Sequence, residues 1–443
     1  MSIPRWAATT ALAAMLQSSL TVSDSLARTP ESAEAVFQAT RAYTVRIRTQ
    51  IAAPFIEDEQ GAFEGAGFLV DAGRGWIVTN AHVVGQSPTE VQVAFAGEAY
   101  RPARRLYVDS FADMAVLEID MAGRSRPTAK LVCGPLPEAG EAVGAFGHPL
   151  GLPFTGTRGI VSGHTSQAVA DLIQIDATVD HGNSGGPVMR LLDGRVVGIA
   201  TAGAGGDKSD RVNFATPMPD VCRILELLRD GIPPDPPQLG IALLLDEDGN
   251  HTLEVARSFD EARWPLRGGD RIVRVGRGAD TLETLHQLVT ALRGRTGRVP
   301  VEVAREGKRV VVEVSPEPRA PIVGRRGVRL DGALIAPMSF EDGAVLGERT
   351  PLTVHSVESG SSAESHGMQR GDLLESVDGR HFDALEALTE YLQQPRDGAP
   401  LRAVVRRWSP QTRRMFDYCG LELPGSEIEM IGPGARLLSG EAH

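Results

Sequence analysis

Four prolines in five residues, Pro233-Pro234-Asp235-Pro236-Pro237, divide this 443-residue chain into parts with different patterns. Each proline ring fixes φ and removes an N–H donor, so the run can neither continue a helix nor sit inside a sheet. It reads as an extended, semi-rigid spacer, which places a linker at 231–237. Ahead of it, from about residue 36 to 217, short β-like runs alternate with glycine turns at 43–47, 67–70, 76–79, 91–95, 114–119, 142–146, 173–175 and 195–200. Many short strands with regular turns predict an all-β barrel or sandwich. A helix over 218–229 is expected to close this part, because Val221, Ile224, Leu225 and Leu228 share one face at helical spacing.

Beyond the spacer the chain repeats itself. Gly269-Asp270-Arg271-Ile272 with Val275 returns as Gly371-Asp372-Leu373-Leu374 with Val377, an offset of 102. Leu282, Leu285, Leu288 and Leu292 return as Phe382, Leu385, Leu388 and Leu392, and Pro300 as Pro400, both at an offset of 100. A period this long means tandem domains and not a solenoid. Each copy reads strand, turn, strand, apolar helix and hairpin, as in 301–305 with 309–314.

Net charge is −12, so nothing electrostatic favours nucleic acid or an anionic membrane surface. The apolar stretch from Trp6 to Leu20 is too short and too rich in Thr and Ser to span a bilayer. It reads as a secretory signal over residues 1–27: Arg5 at the start, 11–16 apolar, and Ser25-Leu26-Ala27 as a small-x-small cleavage site. No cysteine follows that site, so no lipid anchor is expected. The three cysteines, Cys133, Cys222 and Cys419, allow one bridge at most, while isolated cysteines are more often small buried apolar residues.

Chemistry is concentrated in Gly182-Asn183-Ser184-Gly185-Gly186-Pro187. Glycines let the backbone turn its N–H groups beside the serine oxygen, which a tetrahedral oxyanion requires. The letters also fit the loose Gly-x-Ser-x-Gly pattern of α/β-hydrolases, and they would make a plain surface turn. A serine nucleophile needs a base. His82 ends an apolar run, Ile77-Val78-Thr79-Asn80-Ala81-His82-Val83-Val84, while Asp113 enters another, Ala112-Asp113-Met114-Ala115-Val116-Leu117. A carboxylate there is costly to bury unless it is paired. The order His82, Asp113, Ser184 is that of chymotrypsin and not of α/β-hydrolases, whose serine is also followed by a helix that Gly185-Gly186-Pro187 forbids.

At this point residues 36–420 resemble the HtrA (DegP/DegQ/DegS-type) serine proteases. The matching blocks are Gly65-Ala66-Gly67-Phe68, Thr79-Asn80-Ala81-His82-Val83-Val84, Ala112 to Leu117, Thr157-Arg158-Gly159-Ile160-Val161-Ser162, Gly182 to Pro187 with Asp176-Ala177 before it, and Val212-Asn213-Phe214-Ala215-Thr216-Pro217. The resemblance implies a mainly β fold: a trypsin-like double β-barrel over 36–230, then two α+β PDZ domains over 238–318 and 322–424, with a tail at 425–443. It makes His82 the general base and then acid, Asp113 its orienter and Ser184 the nucleophile. The oxyanion hole falls to the N–H groups of Gly182 and Ser184, with Asn183 between them. It also implies an ATP-independent, cofactor-free endopeptidase of the cell envelope, periplasmic or secreted. Such an enzyme acts on unfolded proteins or a regulatory substrate and assembles as trimers or larger cages.

The chain departs from the family where Asp180-His181 replaces Asn-Pro, which loosens the turn beside the oxyanion hole. The loop around Glu57-Asp58-Glu59-Gln60-Gly61 is short, so a long inhibitory loop is not expected. Thr178 stands at the expected floor of the S1 pocket and Ile199-Ala200-Thr201 at its wall. With no acid at Thr178, small or medium aliphatic P1 residues are expected. Gln238-Leu239-Gly240-Ile241 matches a carboxylate-binding loop ahead of a peptide-accepting strand. The first copy departs from the pattern at Trp264-Pro265-Leu266. In the second, the binding loop near Arg329 to Ala333 has no clear match, so that copy is assigned to assembly. Asp246-Glu247-Asp248-Gly249-Asn250 lacks the remaining ligands of a calcium loop, so it reads as a hairpin turn and no metal is expected. The competing reading is a chaperone or scaffold with a resting peptidase domain and PDZ-mediated peptide binding.

Overall fold

The computed structural model describes residues 32–148, 154–166, 171–201, 213–247, 249–276, 281–338, 352–395, 398–409 and 416–432. The expected signal segment 1–27, Asp248 of the hairpin turn and residues 433–443 of the expected tail lie outside them.

Helix α1 (Ala33–Arg41) leads into a closed six-stranded barrel, β1 (Thr44–Ile51), β2 (Gly61–Asp71), β3 (Trp76–Thr79), β4 (Glu90–Phe95), β5 (Arg101–Asp109) and β6 (Met114–Glu118). A four-residue helix, α2 (Ala81–Val84), follows β3 directly. The second closed barrel comprises β7 (Ala142–Gly147), β8 (Thr155–Ser166), β9 (Asp171–Ile175), β10 (Pro187–Arg190), β11 (Val196–Thr201) and β12 (Asn213–Pro217). Closure removes the open strand edges that a β-rich chain must otherwise protect. The periodic segment after it forms α3 (Met218–Arg229), whose Met218, Val221, Ile224 and Leu225 pack into the first barrel's core beside Ile47, Phe68, Ile77, Met114 and Leu117.

One cross-link was undecided by the sequence. Cys133, in the segment joining the barrels, is bonded to Cys222 on α3 with Cα atoms 5.7 Å apart, within the reach of a disulfide. Cys419 is free.

After the proline spacer, β13 (Pro237–Gln238) pairs with β19 (Glu317–Pro318) and brackets a first module. Its sheet runs in the order β14 (Ile241–Leu245), β15 (His251–Ser258), β16 (Arg271–Val275), β17 (Val299–Arg305), β18 (Lys308–Val314), with α4 (Leu285–Leu292) against it. The second module repeats this plan with β21 (Ala333–Pro337), β22 (Leu352–Val357), β23 (Leu373–Val377), β24 (Leu401–Trp408) and β25 (Phe416–Leu423). It carries α5 (Ser362–Ser365) and α6 (Leu385–Leu392). Two more strands, β20 (Gly327–Leu330) and β26 (Ile428–Ile431), extend this sheet beyond β21. The sheet therefore reaches residue 431, past the expected boundary at 424.

The two modules differ at one edge. In the first, among the described residues, β14 is the outermost strand of its sheet and pairs only with β15. In the second, the equivalent β21 is paired on its far side by β20 through an Asp331-Gly332 turn with both φ values positive, the geometry of a tight hairpin. Val328 and Leu330 of β20 are buried against Leu385 and Leu388 of α6. This is why no binding loop could be matched near 329–333: the segment is a hairpin strand and its turn.

Both modules pack on the double barrel. From the first, His286 Nε2 lies 2.9 Å from Asp220 Oδ2 on α3 and its ring stacks on Phe111 at 5.7 Å. Arg293, at the end of α4, donates to Asp109 Oδ2 at 2.6 Å, to the Tyr107 hydroxyl at 3.1 Å and to the Pro234 carbonyl. Both members of that ion pair are buried, and such pairs hold only when hydrogen bonds replace the lost water, as these do. The second module covers Ala53 and Phe55 of the β1–β2 loop with Leu334, Ala336 and Ile431.

Candidate active site

Each of the three predicted residues is placed by a different local device. His82 sits one residue into α2, which begins where β3 ends at Thr79. Asp113 closes the β5–β6 turn in the left-handed region, φ 44°, a conformation that Asp tolerates better than most residues. Its carboxylate turns back onto α2: Oδ1 accepts the His82 backbone N–H at 3.1 Å, and Oδ1 and Oδ2 lie 3.0 and 2.9 Å from His82 Nδ1. A base held this way by its Nδ1 side presents Nε2 outward. Asn80, fully buried, ties the arrangement together by donating Nδ2 to the Asp113 carbonyl at 2.7 Å and to Thr201 Oγ1 at 3.1 Å. Nothing in the sequence pattern singled out Asn80. Its signal was present only as a polar residue inside an apolar run.

Ser184 comes from the second barrel, on the turn ahead of β10, and the barrels meet at its backbone, where Ala66 N–H donates to the Ser184 carbonyl at 2.8 Å. Gly185 follows at φ 86°, and a Cβ there would lie 2.2 Å from both the Ala66 carbonyl and Thr79 Oγ1, so no other residue fits between the barrels. Among the described residues no hydrogen bond joins His82 Nε2 to the Ser184 hydroxyl. Such bonds are commonly long before substrate arrives.

The turn before Ser184 decides whether an oxyanion could be held. Asn183 N–H closes it onto the Asp180 carbonyl at 2.9 Å, with Gly182 at φ 97°. That is a type II turn, and a positive φ at its third position is what glycine supplies. The opposite orientation of the central peptide, a type I turn, would need a negative φ at Gly182. The Gly182 carbonyl is occupied by His148 N–H at 3.0 Å. The buried N–H groups of Gly182 and Ser184 have no acceptor among the described residues. Two buried donors left free beside a serine are the equipment for stabilising a developing oxyanion. The replacement of Asn-Pro by Asp180-His181 therefore leaves the turn formed.

The expected pocket residues separate. Thr178 is exposed, with its carbonyl accepting from Thr157 Oγ1 at 2.8 Å. Ile199 and Ala200 have no exposed surface and belong to the barrel cores, so they back any pocket and do not face it. Thr201 is bound to Asn80 instead. In the first module Gln238 ends β13 and Ile241 begins β14; the N–H groups of Leu239 and Gly240 between them donate to nothing among the described residues. A Cβ on Gly240 would strike Trp264 at 2.4 Å, so the unusual Trp264-Pro265-Leu266 step fills the space beneath this loop. Among the described residues no cluster of His, Cys, Asp and Glu could hold a metal, and no helix is long and apolar enough to cross a membrane.

A trypsin-like peptidase domain model matches residues 65–199, which span the three residues, and a PDZ domain model matches residues 353–407 of the second module. A probable periplasmic serine endoprotease, DegP-like, of Chlamydia pneumoniae is 30% identical over 358 residues, covering 75% of this chain and 71% of the relative. The periplasmic pH-dependent serine endoprotease DegQ of Escherichia coli is 25% identical over 350 residues, covering 74% of this chain and 75% of the relative. Among solved structures, the HtrA-type protease AlgW with a tripeptide superimposes with a TM-score of 0.53 at 23% identity, over 66% of this chain and 98% of that one. That similarity supports the fold alone. With a double β-barrel that carries the His82–Asp113 pair on one barrel and Ser184 on the other, a PDZ domain after it and a relative of this closeness, the chain belongs to the family of DegP-like serine endoproteases.

Proposed function

We propose that the chain is an ATP-independent endopeptidase that cleaves unfolded or misfolded polypeptides in the periplasm or outside the cell. The observation that carries this reading is the turn at Gly182–Ser184, whose two N–H groups have no acceptor among the described residues, on the barrel that meets the one bearing the His82–Asp113 pair. His82 takes the Ser184 proton as the hydroxyl attacks the scissile carbonyl; the two N–H groups hold the oxyanion; His82 then returns the proton to the leaving amine. Asp113 orients His82 and stabilises the imidazolium. With Thr178 uncharged at the pocket floor, the favoured P1 residues are small or medium aliphatics.

The first module acts as a further PDZ domain that receives C-terminal peptides. A β14 edge left open among the described residues supports strand addition, and the N–H groups of Leu239 and Gly240, which have no acceptor among them, support capture of a terminal carboxylate. Trimers or larger homo-oligomers are part of the same proposal.

Cleavage of an unfolded casein-like substrate by the full chain, compared with Ser184→Ala, tests the reading. Cleavage that Ser184→Ala abolishes while peptide binding survives supports it. No cleavage by either protein overturns it in favour of a peptide-binding scaffold.

A further inference from the structure

The sheet of the second module has no room for a guest strand at the position that the first module leaves open. β20 pairs with β21 in register from Val328↔Ile335 to Leu330↔Ala333, and β26 pairs with β20 in turn. Arg326, just ahead of β20, is also paired with Glu386 on α6. Its outer face, by contrast, is in use. Leu334 and Ala336 point away from the module's own core and cover Phe55, which is fully buried. Arg325 lies over the Phe55 ring at 4.4 Å and the His355 ring lies against it at 5.0 Å. Ile56 N–H donates to His355 Nδ1 at 3.1 Å, the Ile56 carbonyl accepts from Arg370, and Arg325 Nη1 reaches Glu57 at 3.0 Å.

The other side of this short loop grips the segment that leaves α2. Asp58 Oδ2 accepts the N–H groups of Gln86 and Ser87 at 2.8 and 2.6 Å and the Ser87 hydroxyl at 2.5 Å. The Phe55 N–H donates to Ser87 Oγ at 2.8 Å. Helix α2 is one turn long, and Asn80 at its start makes no side-chain cap. A helix this short has no stability of its own and takes its position from what holds its ends. At the leading end that is Asp113, through the His82 N–H; at the trailing end Thr49 and Arg105 donate to the Val83 and Gly85 carbonyls at 2.8 Å each, and Asp58 fixes the backbone N–H groups just past the Gly85 cap.

We propose that Asp58 is a positioning residue for His82, and that the second module is the backing that holds the Asp58 loop in place. On this assignment the closed module serves the peptidase site mechanically and is not a receptor for a peptide strand. The inference rests on the proposed role of His82 as the base.

The test compares wild type, Asp58→Asn and Phe55→Ala as full chains, with a small chromogenic peptide substrate and a fluorophosphonate probe that labels the active serine. An angstrom-scale misplacement of a reacting group costs up to about 100-fold in rate. Asp58→Asn is expected to lower kcat and the labelling rate about 10-fold or more while KM stays within about two-fold, since the substrate-contacting surfaces are intact. Phe55→Ala is expected to lower both in the same direction and to expose residues 319–326 to limited proteolysis. Wild-type kcat and labelling in Asp58→Asn, or a fall in thermal stability with kinetics unchanged, overturns the positioning role. Released proteolysis with unchanged kcat in Phe55→Ala, which also serves if Asp58→Asn does not fold, overturns the backing role. If wild type shows no Ser184-dependent cleavage or labelling, the failure is that of the peptidase reading itself.

Discussion

Removing the Cys133–Cys222 bridge is expected to destabilise the peptidase domain severely without touching the active site. The bridged residues are 89 apart in sequence, so the unfolded chain loses a long loop's worth of freedom when they are joined. The chain-entropy relation gives about 15 cal/mol/K for such a loop, or about 4–5 kcal/mol at 25 °C. For a domain of this size each kcal/mol moves the midpoint by about 2–4 °C, so the loss corresponds to roughly 8–20 °C. Part of the local geometry survives without the bridge, since Val132 N–H still bonds to the Val196 carbonyl at 2.9 Å and α3 keeps its buried face. The measurement is scanning calorimetry of wild type with and without reductant, beside Cys133→Ala/Cys222→Ala. Alanine avoids placing a hydroxyl at buried Cys222. Alkylation of the denatured, unreduced wild type should label Cys419 alone. A double variant melting within about 3 °C of the oxidised wild type would refute the entropic reasoning.

Other outcomes are as specific. Arg293→Met should cost about 3–5 kcal/mol, because it leaves Asp109 charged and buried, and adding Asp109→Asn should recover part of it; hydrogen exchange on α4 reads both. Acid should tighten the first module and loosen the second. Burial alone would lower the His286 pKa, but the hydrogen bond and charge of Asp220 outweigh it and raise the pKa, so that contribution is full below pH 6.5 and is lost as pH rises through the raised value. Burial, with Asp109 nearby, pushes Asp235 up to about 6, so its contribution likewise fades as pH climbs from 3.8 toward 6. Burial beside Arg325 pushes His355 down to about 4, so the bond it accepts from Ile56 weakens as pH falls from 6.5 through 4. Exchange protection of α4 should therefore drop as pH rises above 6.5, and that of β21–β22 from pH 7 to 4.5; parallel trends in the two modules would contradict the sign argument. Asn80→Ala should reduce kcat about 10-fold with KM little changed, as the Asp113 carbonyl loses its donor. A peptide library should show faster cleavage after Val or Ala than after Lys or Arg, and the reverse order would refute the proposed assignment of Thr178 to the pocket floor.

What could be read from residues alone followed periodicity and chain order. Eight β-like runs in the first part all appear as strands, and α3 spans the predicted 218–229. His82 and Asp113 were legible because a polar residue inside an apolar run demands a partner. The pairing of cysteines was not, since sequence separation says nothing of proximity. Ile199 and Ala200 were expected at a pocket wall from the resemblance alone, yet on β11 both are buried in cores. The Asp58 loop was read only as short. Its use depends on Leu334, Ala336 and Ile431, nearly 300 to 400 residues away, and no local pattern carries a contact of that range.

That range sets an order of events as the chain folds. Phe55 lies near the start of the double barrel, but the surface that covers it includes Ile431. Domains fold as units, so the barrels can close before β26 joins the sheet of the second module. Until then a large aromatic side chain and the loop bearing Asp58 lack their backing. The nascent enzyme is thus assembled before it is braced, and a chain stopped short of β26 would carry a finished barrel pair around an exposed Phe55.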